Sequence, residues 1–431
     1  MSRARTCLGI ALAAGLAGGS FLPAGAAELA VPAGAGALRD MIERAQDGDI
    51  LRLAPGQYEG PVVVTRPLSI LGNGAATVTG SGRGSVITVD APDVVISGLT
   101  VTGSGLSHET IDAGVKLTEK ALRARVENNR ILDNLVGVDV HGPHDARVIG
   151  NLIEGRQDLR VNERGNGLYV WNSPGLVAEG NTVRFGRDGV FVNTSSNNTF
   201  RNNRFEHLRF AVHYMYGNDG TVEGNFSSGN DIGYALMFSG RLTVKGNVSL
   251  DDRNHGLMLN YVNDAEISGN LVRGGGEKCL FMYNANKNMV SGNRFERCQI
   301  GVHFTAGSER NTFAGNAFIA NRTQVKYVGT RNLDWSTGGK GNFWSDHPAF
   351  DANADGIADT VYRPNDMMDH ILWTQPAARL LAGSPAVQLI RWTQTQFPAL
   401  LPGGIVDSAP LMHAPAFPEP QAAAANTGGR G

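Results

Sequence analysis

A short phrase ending in Gly-Asn returns along the middle of the chain, as in Val222-Glu223-Gly224-Asn225 and Ile267-Ser268-Gly269-Asn270. The recurring Asn lies at 129, 151, 181, 203, 225, 247, 270, 293 and 316. Successive positions differ by 22 or 23 residues, except for one step of 30 residues. A period in the low twenties without heptads indicates that each repeat is one supersecondary unit. Such units stack on their neighbours and bury a continuous core.

The content of a repeat distinguishes a leucine-rich horseshoe from a parallel β-helix. Each repeat holds two or three short β-branched or aromatic runs that alternate with period two, and the Leu pattern of a horseshoe is absent. The Asn after Gly suits a turn that needs a left-handed backbone, and Asn amides stacked one coil apart would form a hydrogen-bonded ladder. We therefore predict an all-β protein with a right-handed, single-stranded parallel β-helix, a pectate-lyase-like solenoid.

Composition agrees with a turn-dense solenoid, because 56 residues are Gly and 18% are charged. Arg3 and Arg5 precede an apolar run and a stretch of small residues, so residues 1–26 are predicted to be a secretory signal peptide. Without these two arginines the chain has 36 basic and 40 acidic residues, a net charge of about −4. No nucleic-acid partner is expected.

The exported form would keep two cysteines, Cys279 and Cys298. Export permits a disulfide bond between them. The favoured alternative is a pair of small buried apolar residues, because the aligned repeats place the two cysteines at different points of successive coils.

Domain boundaries follow from changes in pattern. Residues 27–49 are predicted to be an N-terminal cap, since Ala37 to Ala45 has the pattern of a short amphipathic helix and a solenoid must cover its first open coil. Residues 50–335 form the predicted β-helix, and the charged segment Glu154 to Arg164 is expected to be a loop on one face of it.

The end of the chain has a different character. Residues 336–408 are predicted to be a loop and helical segment, with one short helix from Trp373 to Ala382 and another that starts with Ser384 as cap and Pro385 in its first turn. Residues 409–431 are rich in Pro and Ala and are predicted to be a disordered tail.

The strand after each recurring Asn can be given a register by aligning its small residues. With Gly137, Gly189, Ala211 and Cys279 in one column, the next residue and the third point inward, whereas the second and fourth point outward. The predicted outward residues are Asp139 and His141, Tyr169 and Trp171, Phe191 and Asn193, His213 and Met215, Ala235 and Met237, Met258 and Asn260, Phe281 and Tyr283, His303 and Thr305, and Lys326 and Val328.

This outward strip should be polar, yet it is largely aromatic and carries His and Met in its middle. Thioether and imidazole ligands together favour Cu(I) over hard ions. Stacked Met215 and Met237, with Met258 diagonal to them and His213 beside Met215, are predicted to hold one copper ion. Further candidate ligands are His255 and His303. The alternative is a Met-rich strip for protein docking.

Oxygen-bearing side chains alternate at Asp351, Asn353 and Asp355, followed by Gly356 at a sharp turn. This spacing is typical of the first half of a calcium loop, but the twelfth position is not the expected Glu, and Asp359 is the candidate replacement. A structural Ca²⁺ site and a metal-free Asx turn both remain open.

Several segments together resemble the NosD family of nitrous oxide reductase maturation proteins. They are the signal peptide, the Gly-Asn coils, Gly341-Asn342-Phe343-Trp344-Ser345-Asp346, the loop from Asp351 to Asp359 and the segment Arg363 to Asp366. The resemblance implies a periplasmic protein that is not an enzyme, binds copper transiently and supplies it for the metal centre of nitrous oxide reductase. It also implies a membrane ABC transporter, with permease and ATPase, and a copper donor protein as partners.

A carbohydrate enzyme is the rival class, because the same fold carries uronate lyases and epimerases. Gly142-Pro143-His144-Asp145 is similar to part of an epimerase motif, with Gly142 in place of its leading Asp, although a turn explains it equally well. Outward Tyr169, Trp171 and Phe191 would stack on sugars. The expected dense set of outward Lys, Arg and Asp is not evident in the sequence. A docking scaffold without metal is the third possibility.

Overall fold

A computed structural model describes residues 26–417 except 275, 306, 330, 382 and 398–403. The predicted signal peptide lies, apart from residue 26, outside the described residues. The predicted parallel β-helix is confirmed, because each coil pairs in parallel with the coils before and after it. A typical coil has two short strands on either side of the Gly-Asn turn and one longer strand.

The longer strands form one parallel sheet of twelve strands. In chain order they are Val62–Val64, Ile87–Val89, Ala113–Leu117, Val136–His141, Leu168–Trp171, Asp188–Asn193, Phe210–Met215, Ile232–Met237, His255–Asn260, Lys278–Tyr283, Ile300–Thr305 and Thr323–Val328.

The short strands form the rest of the solenoid wall. In the first coils they are Glu28–Val31, Ile50–Leu53, Gly56–Glu59, Ser69–Thr79 and Val95–Thr102. Before the Gly-Asn turns they are Arg125–Glu127, Arg147–Ile149, Val177–Glu179, Thr199–Arg201, Thr221–Glu223, Thr243–Lys245, Glu266–Ser268, Met289–Ser291 and Thr312–Ala314. After the turns they are Arg130–Asn134, Leu152–Gly155, Thr182–Arg184, Arg204–Glu206, Phe226–Ser228, Val248–Leu250, Leu271–Arg273, Arg294–Glu296, Ala317–Ile319 and Phe343–Trp344.

The strand register agrees with the alignment of the small residues. Val212 pairs with Tyr234, and Tyr214 pairs with Leu236 in the next coil. These inward residues are at most 1% exposed and belong to one hydrophobic core that runs along the solenoid. Because side chains alternate across a strand, their neighbours in each strand must face outward.

The recurring Asn residues form the predicted ladder inside the solenoid. Asn225 donates from Nδ2 to Asn247 Oδ1 at 3.0 Å and to the Phe200 carbonyl at 2.8 Å, and its Oδ1 accepts from Asn203 Nδ2 at 2.9 Å. The prediction that this Asn has the left-handed backbone is wrong. The residue before it has that conformation, such as Gly224 with φ of 63°. The turn therefore leaves the Asn amide free to point into the coil stack.

The ladder ends at Asp407, near the end of the described chain. Asn316 Nδ2 donates to Asn342 Oδ1 at 2.8 Å, so the Gly341-Asn342 phrase supplies one more rung. Asp407 Oδ2 accepts from the Asn342 backbone N–H at 2.7 Å and from Trp344 Nε1 at 2.8 Å. A returning segment of the chain thus satisfies the last open rung.

The first coil is covered as expected. Helix α1 spans Ala37–Arg44 and buries Leu38 and Ile42 in the solenoid core. The strand Glu28–Val31 precedes this helix and pairs with Ile50–Leu53, so parallel pairing begins within the segment that was predicted to be only a cap.

The C-terminal part contains the expected small helical extension, with different bounds. Helix α2 spans Met367–Thr374, a 3₁₀ helix spans Pro376–Leu381, and α3 spans Pro385–Gln396 with Ser384 as its cap. The other 3₁₀ helix, Val161–Glu163, lies in the predicted loop from Glu154 to Arg164.

The prediction of disorder from residue 409 is corrected for the first part of the tail. Ile405–Val406 pairs with Leu333–Asp334. The carbonyl of Ala409 accepts from the Gly341 N–H at 2.8 Å, and the N–H of Leu411 donates to the Asn342 carbonyl at 3.0 Å. Backbone pairing to the last coil orders this segment despite its composition. Residues 418–431 lie outside the described residues.

Cys279 and Cys298 form a disulfide bond, with their Cα atoms 5.7 Å apart. The expectation that they are simply two buried apolar residues is therefore wrong. The strand Lys278–Tyr283 brings the Cys279 side chain inward, next to the turn that follows the short strand Arg294–Glu296. In the described part of the chain no helix is long and apolar enough to cross a membrane.

We expect the substitution Asn225→Ala to lower the free energy of unfolding by about 3 kcal/mol, because it leaves buried donors of Asn203 and the Phe200 carbonyl without partners. Urea denaturation monitored by circular dichroism would measure this loss. Asn162→Ala is the control, since Asn162 is exposed. Equal stability of the two variants would show that the ladder contributes little.

Candidate metal centre

The outer strip consists of the outward-facing residues of the long strands from Val136–His141 to Thr323–Val328. Met215 pairs directly with Met237 in the next coil. Both are half-buried and lie outside the hydrophobic core, whereas the inward Met282 is fully buried within it. The two methionines therefore occupy neighbouring positions on the outer surface of the solenoid.

Met258 and His255 lie one coil further. Asn260 pairs with Met237, which places Met258 two residues away and diagonal to the Met215–Met237 pair. His255 lies at the start of the same strand, and its ring centroid is 5.4 Å from that of Phe281. Burial lowers the pKa of His255, which favours the neutral imidazole that a metal requires.

His303 lies two coils beyond His255, with the Phe281 ring between them at 5.4 Å and 5.1 Å. Burial, together with Lys326, lowers the pKa of His303 to about 4. Phe281 and the coil spacing separate this imidazole from the Met215–Met237 pair, so the structure does not bring it into the same cluster.

His213 shares a strand with Met215 and is only 8% exposed. Its Nδ1 lies 3.0 Å from Asp188 Oδ2, and Arg209 donates to both oxygens of the same carboxylate at 2.8 and 2.6 Å. Burial raises the pKa of Asp188, but the hydrogen bonds from His213 and Arg209 more than offset this effect, so the pKa lies below its usual value. Asp188 was missed in the sequence, because it lies 25 residues from His213.

The sequence suggested that the whole outer strip is exposed, but parts of it are buried. Asp139, His213 and Ala235 point outward and are nevertheless buried. At the N-terminal end, Leu159 and Ile111 pack against Val136 and its neighbours. Leu159 belongs to the predicted charged loop, so that loop folds over part of the strip instead of extending into solvent.

A second polar group lies at this covered end. Asp139 is fully buried, with Lys116 Nζ 3.2 Å from one carboxylate oxygen and His141 Nδ1 3.9 Å from the other. The His141 ring stacks on Trp171 with centroids 4.4 Å apart. Burial raises the pKa of Asp139 to about 6, although Lys116 acts in the opposite direction. Lys116 was missed because it lies one coil before the aligned repeats.

An exposed aromatic ladder runs along the edge of the methionine pair. Its members are Tyr216, Phe238, Tyr261 and Tyr283, and the ring centroids are 5.1, 5.2 and 5.8 Å apart. Tyr216, Phe238 and Tyr261 have φ near 50°, a left-handed conformation that costs energy for bulky residues. The equivalent turn residues Asn172 and Thr194 have the same backbone conformation, so it belongs to the turn. The contiguous exposed rings are the feature typical of a binding surface.

The acidic loop folds on itself. Asp351 accepts from the Gly356 N–H at 2.8 Å, and Asp359 accepts from the Ala352 N–H at 2.7 Å. Asn353 Oδ1 accepts from the Asp355 N–H at 3.0 Å, which is the geometry of an Asx turn. Within the described residues no group of three or more His, Cys, Asp or Glu is arranged to hold a metal ion. Calcium at this loop stays a prediction.

The epimerase-like phrase forms the turn that directly follows the outer-strip residue His141. Gly142 has φ of 95°, and the exposed His144 belongs to the turn before Arg147–Ile149, where its carbonyl accepts from the Arg123 N–H. The structure thus gives Gly142-Pro143-His144-Asp145 the role of a turn.

The fold and the outer strip together define a parallel β-solenoid protein with His, Met and aromatic side chains on one face. The model of a family described as "Periplasmic copper-binding protein (NosD)" matches residues 149–349. A "Probable ABC transporter binding protein NosD" from Stutzerimonas stutzeri is 39% identical over 378 residues, 84% of this chain and 87% of the relative. The relative of the same name from Pseudomonas aeruginosa is 39% identical over 377 residues. The chain belongs to the NosD family.

Solved structures support the fold alone. The Streptococcus pneumoniae surface protein and adhesin PfbA has a TM-score of 0.53 at 11% identity and covers 67% of this chain and 94% of its own. A PL6 alginate lyase in complex with a trisaccharide has a TM-score of 0.52 at 14% identity and covers 75% of this chain and 83% of its own. A surface adhesin and a lyase share this solenoid, so the fold does not assign an activity.

We expect Asp139 to make stability depend on pH. Its pKa of about 6 in the fold exceeds the ordinary 3.8, so its contribution is fully present below about pH 4 and is lost as the pH rises through 6. This difference between the two pKa values corresponds to about 3 kcal/mol of unfolding free energy. The free energy of unfolding of wild type relative to Asp139→Asn should fall by this amount between pH 4 and pH 7.5. Parallel pH profiles of the two proteins would contradict the assignment.

Proposed function

We propose that this protein is a periplasmic accessory protein for the maturation of nitrous oxide reductase, which binds Cu(I) as transient cargo on its outer strip. The family description supports a periplasmic, copper-binding role. The names of the two NosD relatives support an association with an ABC transporter. In this proposal the transporter is a membrane complex of permease and ATPase. In this proposal a copper donor protein loads the strip, and nitrous oxide reductase is the final recipient. The protein itself is not an enzyme.

The observation that carries the proposal is the direct pairing of Met215 with Met237. Met215 lies two residues after His213 in the same strand. Adjacent coils lie about 4.8 Å apart, and a metal–sulfur bond is roughly 2.3 Å by analogy with zinc thiolates. Two paired thioethers can therefore bind one ion between them. Imidazole together with thioether is a soft ligand set that suits Cu(I) better than a hard cation.

The exposure of these groups fits a cargo site. The methionines are half-buried at the surface, so a partner protein can reach the ion directly. Thioethers are neutral and need no deprotonation before they bind, which limits the cost of release. Met258, diagonal to the pair, and His255 at the start of its strand extend the soft ligands by one coil. The extension provides ligands to which an ion can move during transfer.

The aromatic ladder supports contact with a protein partner at the same place. Tyr216 directly follows Met215, and Phe238 directly follows Met237, so the exposed rings line the edge of the proposed site. Aromatic side chains supply a large contact area in protein interfaces. A donor or acceptor that stacks on the ladder would bring its own ligands close to the two sulfur atoms.

The acidic loop is proposed as a separate structural Ca²⁺ site with Asp351, Asn353, Asp355 and Asp359 as ligands. Carboxylate and amide oxygens are the ligands that Ca²⁺ prefers, and the turn at Gly356 resembles that of a calcium loop. The metal-free Asx turn described above is the competing interpretation.

We expect the double substitution Met215→Ala with Met237→Ala to weaken Cu(I) binding at least about tenfold, a change of about 1.4 kcal/mol or more. Competition with a colorimetric Cu(I) chelator would measure the affinity, and wild type should bind one ion at this site. Met289→Ala is the matched control, because Met289 is an exposed methionine on a different strand, Met289–Ser291. Identical affinities for wild type and the double variant would remove the proposed site.

A carbohydrate enzyme is the second candidate, on one observation. Lys116, Asp139 and His141 lie together at the covered end of the outer strip, next to Tyr169 and Trp171. A cation, a carboxyl group with a raised pKa and stacking rings are the groups that uronate chemistry requires. Turnover of polymannuronate or polygalacturonate that Asp139→Asn abolishes would favour this candidate over the copper carrier.

A further inference from the structure

The His213 imidazole is held on one side by a buried ion pair. Arg209 donates from Nε to Asp188 Oδ1 and from Nη2 to Asp188 Oδ2, so its guanidinium grips the carboxylate at two points. His213 Nδ1 lies 3.0 Å from the same Oδ2 atom, and Asp188 is fully buried. The strand Asp188–Asn193 supplies the carboxylate, and the next coil supplies both of its partners.

This contact fixes where the imidazole carries its proton. An ionised carboxylate has no hydrogen to donate, so a hydrogen bond between Asp188 and His213 needs the proton on Nδ1. The opposite nitrogen, Nε2, then carries a lone pair in the neutral ring. Nε2 is buried and has no hydrogen-bond partner among the residues that the structure describes.

Two aromatic rings restrict the orientation of the same imidazole. The Phe191 ring, one coil earlier, lies 4.8 Å from the His213 ring between centroids, and the Phe210 ring lies 5.0 Å away at an interplanar angle of 88°. Phe210 and His213 belong to one strand. With Asp188 on Nδ1 and rings on two sides, the imidazole has little freedom to turn.

We propose that Asp188 is a positioning residue of the copper site, which holds the ring and proton of His213 so that Nε2 is the atom that binds the metal. This inference rests on the proposed function and adds to it an atom and a supporting residue. Histidine ligands of metals commonly donate their other N–H to a carboxylate, which fixes the tautomer and makes the ligating nitrogen more basic. A buried, unpartnered Nε2 is the geometry that such support leaves for a metal.

A two-point Asp–Arg contact occurs elsewhere in the solenoid without a histidine, so the contact with His213 is a separate feature of Asp188. Asp219 forms the same two-point contact with Arg241 in the next coil, at 2.6 and 2.8 Å, but at an exposed turn and without a histidine among its described partners. Pairs of this kind connect successive coils of the solenoid. At Asp188 the pair is buried, and one of its oxygens also serves an imidazole that faces the outer strip.

The experiment compares Asp188→Asn with wild type and with Asp219→Asn as the matched control. Asn can accept from an imidazole N–H or donate to an unprotonated nitrogen, so the variant no longer enforces one tautomer. We expect Asp188→Asn to lower Cu(I) affinity about 10- to 100-fold in chelator competition, as is typical for such supporting residues, and Asp219→Asn to leave it unchanged.

Imidazole ¹⁵N NMR of the copper-free protein provides a readout that a purely structural role would not move. Wild-type His213 should carry its proton on Nδ1, and Asp188→Asn should shift the population toward a proton on Nε2. A proton on Nε2 in wild type, or unchanged copper affinity in a folded Asp188→Asn protein, overturns the inference.

If Asp188→Asn does not fold, Arg209→Lys tests the same support. This variant keeps the charge but loses the two-point grip, and we expect a several-fold loss of affinity. Unchanged affinity there overturns the inference as well.

The two proposals fail differently. If wild type binds no Cu(I), the proposed function fails together with the ligand role of Nε2, while the tautomer measurement still reports whether Asp188 positions the ring. If wild type binds Cu(I) and the double methionine variant weakens it, but Asp188→Asn does not, the copper site stands and only the role of Asp188 is lost.

Discussion

The requirement that every buried amide find a partner governs this solenoid. Each coil must turn sharply, and a turn exposes backbone groups that a dry interior cannot leave unpaired. The ladder from Asn129 to Asn316 meets this requirement, because each side chain donates to the carbonyl of one coil and to the amide oxygen of the next. From Asn129 onward, one Asn per coil places the turn at the same point of each coil. Asp407 then accepts from the last rung and from Trp344, which joins the end of the chain to the stack.

A fixed register has a chemical consequence on the outside of the molecule. Residues of equal position in successive coils lie side by side, so a residue type repeated at the coil spacing becomes a column. Met215 with Met237 forms such a column, and so does the ladder of Tyr216, Phe238 and Tyr261. Neighbouring positions of a strand point to opposite faces, and this alternation keeps the large core residue Tyr214 inside while its neighbours His213 and Met215 face out. The solenoid therefore presents soft ligands and aromatic rings in parallel columns on one side.

Membership of the NosD family and the columns on the outer strip are independent observations, and both support the proposed copper-binding role. The first rests on sequence identity over most of the chain, and the second on strand pairing and ligand chemistry. The lyase and the adhesin that share the fold place different residues on a similar frame, so the solenoid itself is neutral with respect to function. In this chain, two neighbouring coils carry His213, Met215 and Met237 on the outer face.

The amino-acid sequence by itself determined the repeat, the inward and outward faces of each long strand, and the positions of Met215 and Met237. These are local or periodic properties, and a period of two within a strand combined with a fixed coil length leaves few alternatives. It did not determine contacts across irregular spacings. The bond between Cys279 and Cys298 joins different points of successive coils. The return of Asp407 to the ladder and the packing of Leu159 against Val136 depend on where non-repeating segments fold back. Only the tertiary structure placed Asp188 against His213. Their 25-residue separation differs from the 22-residue pairing of the two strands, in which Asp188 lies beside Phe210 and His213 beside Phe191.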